Sequence, residues 1–99
     1  MDAVERVLRG DTAGHLGRMG RRVELTLARL RSADAEMDVE ERERLLHDCA
    51  DAVWHYFVQR EACGLRNHDH AIVVFDIPRA VLARVGGAPP TRRREATRG

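Results

Sequence analysis

Along the first third of the chain apolar residues return at steps of three and four: Val4, Leu8, then Leu16, Met19, Val23, Leu27 and Leu30. That spacing places them on one face and predicts a helix over residues 3–33, with Asp2 as its N-cap. Its weak point is Gly10-Asp11-Thr12, because a glycine inside a helix costs about 1 kcal/mol relative to alanine. A break there, with Asp11 or Thr12 recapping the longer second half, stays open on sequence grounds. Gly10, Gly14, Gly17 and Gly20 also recur at three- and four-residue steps. They either form a groove where another helix backbone can approach or are scattered on a solvent-facing surface.

A turn is expected over residues 34–38. Asp38 with Glu41 is an Asp-x-x-Glu variant of the capping box, and Glu40, Glu41 and Glu43 suit the positive end of a helix dipole. The second helix is predicted over residues 39–63, about 37 Å long at 1.5 Å per residue. Its apolar face is Leu45, Leu46, Cys49, Ala50, Val53, Trp54, Phe57 and Val58, and Gly64 is placed to end it in the left-handed conformation.

Beyond Gly64 the pattern shortens. Asn67 can cap a brief helix around residues 68–75, although Ala71-Ile72-Val73-Val74-Phe75 is β-branched enough to suit a strand. Helix is favoured because no second strand exists to pair with it. Asp76 is expected to cap a last helix, with Pro78 in its first turn and Ala80, Val81, Leu82 and Val85 as its apolar residues. From Gly86 the chain offers nothing to bury, so residues 1–86 read as one helical domain and residues 87–99 as a disordered Arg-rich tail whose removal leaves stability unchanged. The fold class is all-α: a long antiparallel helical hairpin plus two short C-terminal helices covering one end. Such a hairpin has a seam without an enclosed core, and a homodimer completing a four-helix bundle is the expected closure.

Composition and charge narrow the function classes. A chain of 99 residues makes one small domain. Its basic residues are all arginine, more simply codon bias of a GC-rich genome than a design for phosphate, and a net charge of +1 argues against a general nucleic-acid coat. The charge is uneven, however: residues 1–33 carry seven Arg against four acids, whereas residues 34–51 carry eight acids against Arg42 and Arg44. The tail is basic again, with Arg92, Arg93, Arg94 and Arg98 against Glu95. No apolar run approaches the roughly 20 residues of a membrane span, and the N-terminus lacks a signal peptide's apolar core. A cytoplasmic, membrane-free protein is expected.

Candidate chemistry concentrates near the end of the second helix, where residues 54–70 hold the only Trp, the only Tyr and three of the five His. Glu43, His47, Asp51, His55 and Gln59 form one four-residue-step stripe that can chelate a metal if a neighbouring helix adds ligands. The first helix offers little beyond His15, so a solvated face is the preferred reading. Cys63, His68, Asp69 and His70 form a second cluster without the paired spacing of structural zinc sites. Metal candidates are therefore His47, Asp51, His55, Cys63, His68 and His70, while no catalytic residue, cofactor or bound metal is assigned. Cys49 and Cys63 lie about 21 Å apart along one helix and cannot bond to each other. Glu61 sits where the apolar face ends and is expected to be buried in an ion pair with Arg60 or Arg66, or with Arg21 or Arg22. Its loss would then cost on the order of 3 kcal/mol.

The stretch V-Q-R-E-A-C-G-L-R-N-H, followed by I-P-R-A-V-L-A-R-V-G and preceded by L-G-R-M-G-R-R-V-E, resembles a small bacterial family of about this length known only as a domain of unknown function. The resemblance covers most of residues 1–86. It implies a small helical bacterial protein and transfers no activity, ligand or catalytic residue. The function expected is therefore a non-enzymatic helical homodimer that works through contacts with an as yet unspecified protein partner. Two alternatives are a nucleic-acid-binding regulator, using residues 68–85 as a helix-turn-helix together with the Arg tail, and a metal-binding or redox protein built on the His and Cys residues. Nucleic acid is disfavoured because residues 1–91 carry more acids than arginines.

Overall fold

The computed structural model describes residues 3–87, with side-chain surroundings from residue 14 onward. The expectations for Asp2, for the side chains of Val4 and Leu8, and for the tail beyond Gly87 lie outside the described residues. Four helices follow in order, α1 (Ala3–Arg31), α2 (Val39–Ala62), α3 (Asp69–Phe75) and α4 (Arg79–Leu82), and no strand occurs among the described residues. The all-helical reading of 71–75 is thus the observed one. Helix α1 runs unbroken through Gly10-Asp11-Thr12, so no recapping occurs there.

The connection from α1 to α2 is held by local bonds. The Glu36 amide donates to Asp34 Oδ1 at 3.1 Å and the Arg42 guanidinium to the Asp34 carbonyl at 3.1 Å. Asp38 does occupy the N-cap position, with φ −56° and ψ 139°, but its side chain accepts no capping bond. The expected capping box therefore does not close, and Glu40 and Glu41 in the first turn complement the dipole instead. The other end of α2 behaves as its sequence predicts. Gly64 adopts φ +88°, the Gly64 amide donates to Glu61 O at 2.9 Å and the Leu65 amide to Arg60 O at 2.8 Å. This is a complete Schellman motif, and glycine is needed because a Cβ disfavours the left-handed region.

The core lies in the seam between α1 and α2. Val23, Leu27 and Leu30 of α1 meet Cys49, Ala50, Ala52 and Val53 of α2, and Ile77 and Val81 close over them. Each fully buried Val or Leu contributes roughly 1.5–3 kcal/mol. The buried face of α2 is rotated from the one expected: Ala52 is fully buried and Tyr56 packs on the core, whereas Trp54 and Val58 remain 42% and 44% exposed. Thr26 is the one buried polar side chain among the described residues, and its hydroxyl is satisfied by donating to the carbonyls of its own helix at Arg22 or Val23. Of the glycines in α1, Gly20 alone makes a close approach among those whose surroundings are described. A Cβ there would sit 3.4 Å from a Tyr56 ring atom and 3.6 Å from Phe75, while Gly14 and Gly17 face only arginines of their own helix.

The two short helices do not cap one end of the hairpin, as expected, but run back along it. His68 stacks on Phe57, Phe75 packs edge-on against Tyr56, and Arg84 reaches Glu43. From Phe57 to Glu43 this covers about 21 Å of α2 at 1.5 Å per residue. The apolar seam is thereby closed within one chain. Asp76 does not cap α4. It takes the left-handed conformation with φ 53° at the end of α3, where the Arg31 guanidinium donates to the carbonyls of Phe75 and Asp76 at 3.1 and 2.7 Å. With Asp76 spent on stopping α3, Pro78 becomes the N-cap of α4.

Candidate functional site

The polar stripe of α2 is not simply a solvated face, because arginines from other elements clasp it at two points. Glu43 receives Arg84 Nε at 2.6 Å and a second guanidinium nitrogen at 2.8 Å, a two-point contact, while His47 Nε2 lies 3.2 Å from the same carboxylate. The Arg84 hydrogen bonds hold the Glu43 carboxyl below its ordinary pKa, and Glu43 in turn raises that of Arg84. Two turns further on, Arg22 of α1 donates to Asp51 at 2.8 Å. His55 Nδ1 lies 2.8 Å from the Asp51 backbone carbonyl, which makes that nitrogen the donor. Gln59 reaches no ion pair of the stripe among the described residues; its amide donates to Cys63 Sγ at 4.0 Å.

A second constellation joins the end of α2 to α3. His68 Nδ1 accepts a hydrogen bond from Arg60 Nε at 3.2 Å, and its Nε2 lies 2.8 Å from Glu61 Oε2. Since Arg60 can only donate, the neutral His68 ring must carry its proton on Nε2 and give it to Glu61. The ring is stacked on Phe57 at 4.1 Å and nearly parallel, and Arg60 also donates to the Asn67 carbonyl and lies over the Tyr56 ring. Asn67 Oδ1 accepts from the Asp69 amide and so starts α3 from one residue outside the N-cap. Glu61 therefore departs from expectation twice. Its partner is His68 rather than Arg60 or Arg66, and its side chain is 56% exposed instead of buried. The reason is that the end of α2 is uncovered: residues 61–67 are all exposed. Arg66 borders a shallow depression with Glu61 without forming an ion pair with it.

These groups do not converge on a reaction centre. His47, Asp51 and His55 occupy the stripe, while Cys63, His68 and His70 are spread over the helix end and α3. Among the described residues no group of three or more His, Cys, Asp or Glu side chains could hold a metal ion. The His68–Glu61 pair could move a proton, yet among the described residues no side-chain hydroxyl or thiol is hydrogen-bonded to it. Both cysteines are free thiols, Cys63 exposed and Cys49 buried, with burial raising the Cys49 pKa. The helix-turn-helix geometry does not form either: α4 spans four residues, Val81 is buried against α2 and Arg84 is tied to Glu43. Arg22 and Arg84 are the residues that sequence reasoning missed as partners of the stripe. Their signal was present only as two arginines opposite an acid-rich helix start, with nothing to specify register.

One concave surface adjoins the stripe. Arg44, Leu45, His47, Asp48, Asp51 and Trp54 of α2 form its floor and one wall, and Arg84, Gly86 and Gly87 form the other. The molecule is thus a small protein of helical-hairpin architecture whose third and fourth helices are clasped to it by arginines, with an open aromatic cleft at their far end. The chain belongs to a family of unknown function, DUF6665, whose profile matches residues 1–93. No curated protein and no solved structure matches it.

Proposed function

We propose that this protein acts by binding rather than by catalysis, through protein–protein contacts in the cytoplasm, with a second copy of itself as its first partner. The observation that carries this reading is the outer face of α3, where the adjacent Val73 and Val74 are 76% and 62% exposed. A helix of seven residues has few such positions, and spending two on bare β-branched side chains favours a surface meant to be covered. The polar groups support the same reading, because Glu43, Asp51, Glu61 and His68 are engaged in holding elements together. No helix of the described residues is long and apolar enough to cross a membrane, which fits a protein working in water. The free thiols fit a reducing compartment.

Sedimentation equilibrium over a concentration series tests the proposal. Wild type is expected to dimerise in the micromolar range, and Val73→Asp/Val74→Asp, which touches no core residue, should shift the equilibrium toward monomer with an unchanged circular dichroism spectrum. A wild-type protein that stays monomeric throughout that range at low salt would sink the homodimer.

A further inference from the structure

We infer that the cleft beside Trp54 is a binding site for a small zwitterion, an α-amino acid with a large apolar or aromatic side chain. The inference uses no residue of α3, so it stands apart from the dimer surface. The volume of the cleft, about 710 Å³, falls within the roughly 300–1,000 Å³ of small-molecule sites.

The charges around the cleft divide into engaged and unengaged groups. Arg84 is held by Glu43 at two points, His47 lies against the same carboxylate, and Asp51 receives Arg22. Arg44 and Asp48 remain, both exposed, and neither side chain forms an ion pair or hydrogen bond with another described residue. Four positions apart, they are neighbours on one side of α2, with about 5–6 Å between Cβ atoms. One cation beside one anion complements an α-amino acid, whose carboxylate and ammonium sit on a single carbon. Arg44 receives the carboxylate, to which a guanidinium offers two parallel donors, and Asp48 receives the ammonium. A ligand carrying only one sign of charge meets one attraction and one repulsion here.

Trp54 sets the apolar part of the ligand. It lies six residues beyond Asp48, about 9 Å along the axis, and helical side chains lean toward the N-terminus, which brings the indole back toward the charged pair. The ring is 42% exposed and stands edge-on to His55, with 4.9 Å between centroids. Gly86 keeps another edge of it clear. At φ +79° it takes a conformation that side chains avoid, and a Cβ there would stand 3.6 Å from Trp54 Cδ1. An indole left open in this way accepts a second ring by offset or edge-to-face stacking.

Trp54 is the only tryptophan, so its indole N–H resonance reports on the cleft alone. The full-length protein is titrated with L-phenylalanine, with phenylalaninamide, which lacks the carboxylate, and with N-acetyl-phenylalanine, which lacks the ammonium. L-phenylalanine should shift the resonance with a Kd on the order of 1 mM, ordinary for a ligand of about a dozen heavy atoms. Each derivative should bind roughly fivefold more weakly, the upper end for a contact to an exposed charge. Arg44→Gln should erase the difference between phenylalanine and its amide, and Asp48→Asn the difference between phenylalanine and its N-acetyl form. Both substitutions lie on the surface, and circular dichroism melts should match wild type. No shift at concentrations well above the expected Kd would overturn the proposal. So would equal binding of all three compounds, which would reduce the site to stacking on the indole, or discrimination that survives either substitution.

Discussion

Two cysteines one helix apart in sequence have opposite fates, and the difference shows how little residue type alone decides. Cys49 is fully buried between Thr26 and the hairpin core, and burial raises its pKa, so the reactive thiolate is scarce and inaccessible. Cys63 is the exposed C-cap of α2. Brief treatment of the native protein with iodoacetamide at neutral pH should therefore give a single adduct, at Cys63, and Cys49 should react only after urea is added. Mass spectrometry finding Cys49 alkylated in the native state would show that the seam opens. Glu61 teaches the converse lesson. The end of an apolar stripe suggested a buried carboxylate, but nothing packs over the end of α2, so Glu61 is a surface group paired with a histidine.

Element boundaries follow from local chemistry wherever that chemistry is steric. Gly64 had to end α2, and the Schellman bonds form around it. Caps that rely on side-chain hydrogen bonds were less legible: Asp38 sits at its N-cap without capping, and Asp76 stops one helix instead of starting the next. Gly20 is the point where α1 admits the aromatic rings of α2 and α3. Because a Cβ would lie at 3.4 Å, an ordinary contact distance, Gly20→Ala should recover most of the 1 kcal/mol or so that glycine costs a helix. Gly20→Leu should instead push Phe75 away and destabilise by roughly 1–3 kcal/mol. Urea unfolding of both variants decides the matter, and a destabilised Gly20→Ala would mean that the rings cannot yield at all.

For the molecule as a whole, the Glu43–Arg84 contact is the tie that holds the last helix to the start of α2. The Glu43 carboxyl is held below its ordinary pKa in the folded state, chiefly by the Arg84 hydrogen bonds. A depressed acid stabilises the fold at pH values above its unfolded pKa, and that contribution disappears as pH falls through the lower folded value. The carboxylate is about one-third exposed, 36%, so the contribution should be about 1 kcal/mol, the upper end for a surface pair. Glu43→Gln should accordingly lower stability at pH 7 and leave it near wild type at pH 3. Denaturant titrations at the two pH values measure this, and an equal loss at both would assign the effect to packing instead of charge.

Much of this architecture was legible from the order of residues. The three- and four-residue apolar spacing specified two long helices, Gly64 specified the end of the second, and the lack of any partner strand favoured helix over strand for residues 71–75. These are properties of the chain within a few residues of each point, where propensity and backbone sterics act. What the tertiary structure alone decided was rotation and register. Which of Ala52, Trp54 and Val58 turns inward, which acid meets Arg22 or Arg84, and where residues 68–87 lie along the hairpin all depend on contacts between elements, up to 45 positions apart in sequence. An apolar stripe fixes a helix face only to within a fraction of a turn. The closing of the seam by α3 and α4 supplied the remainder, because the packing of Ile77 and Val81 between the two long helices settles which side chains the core can accept.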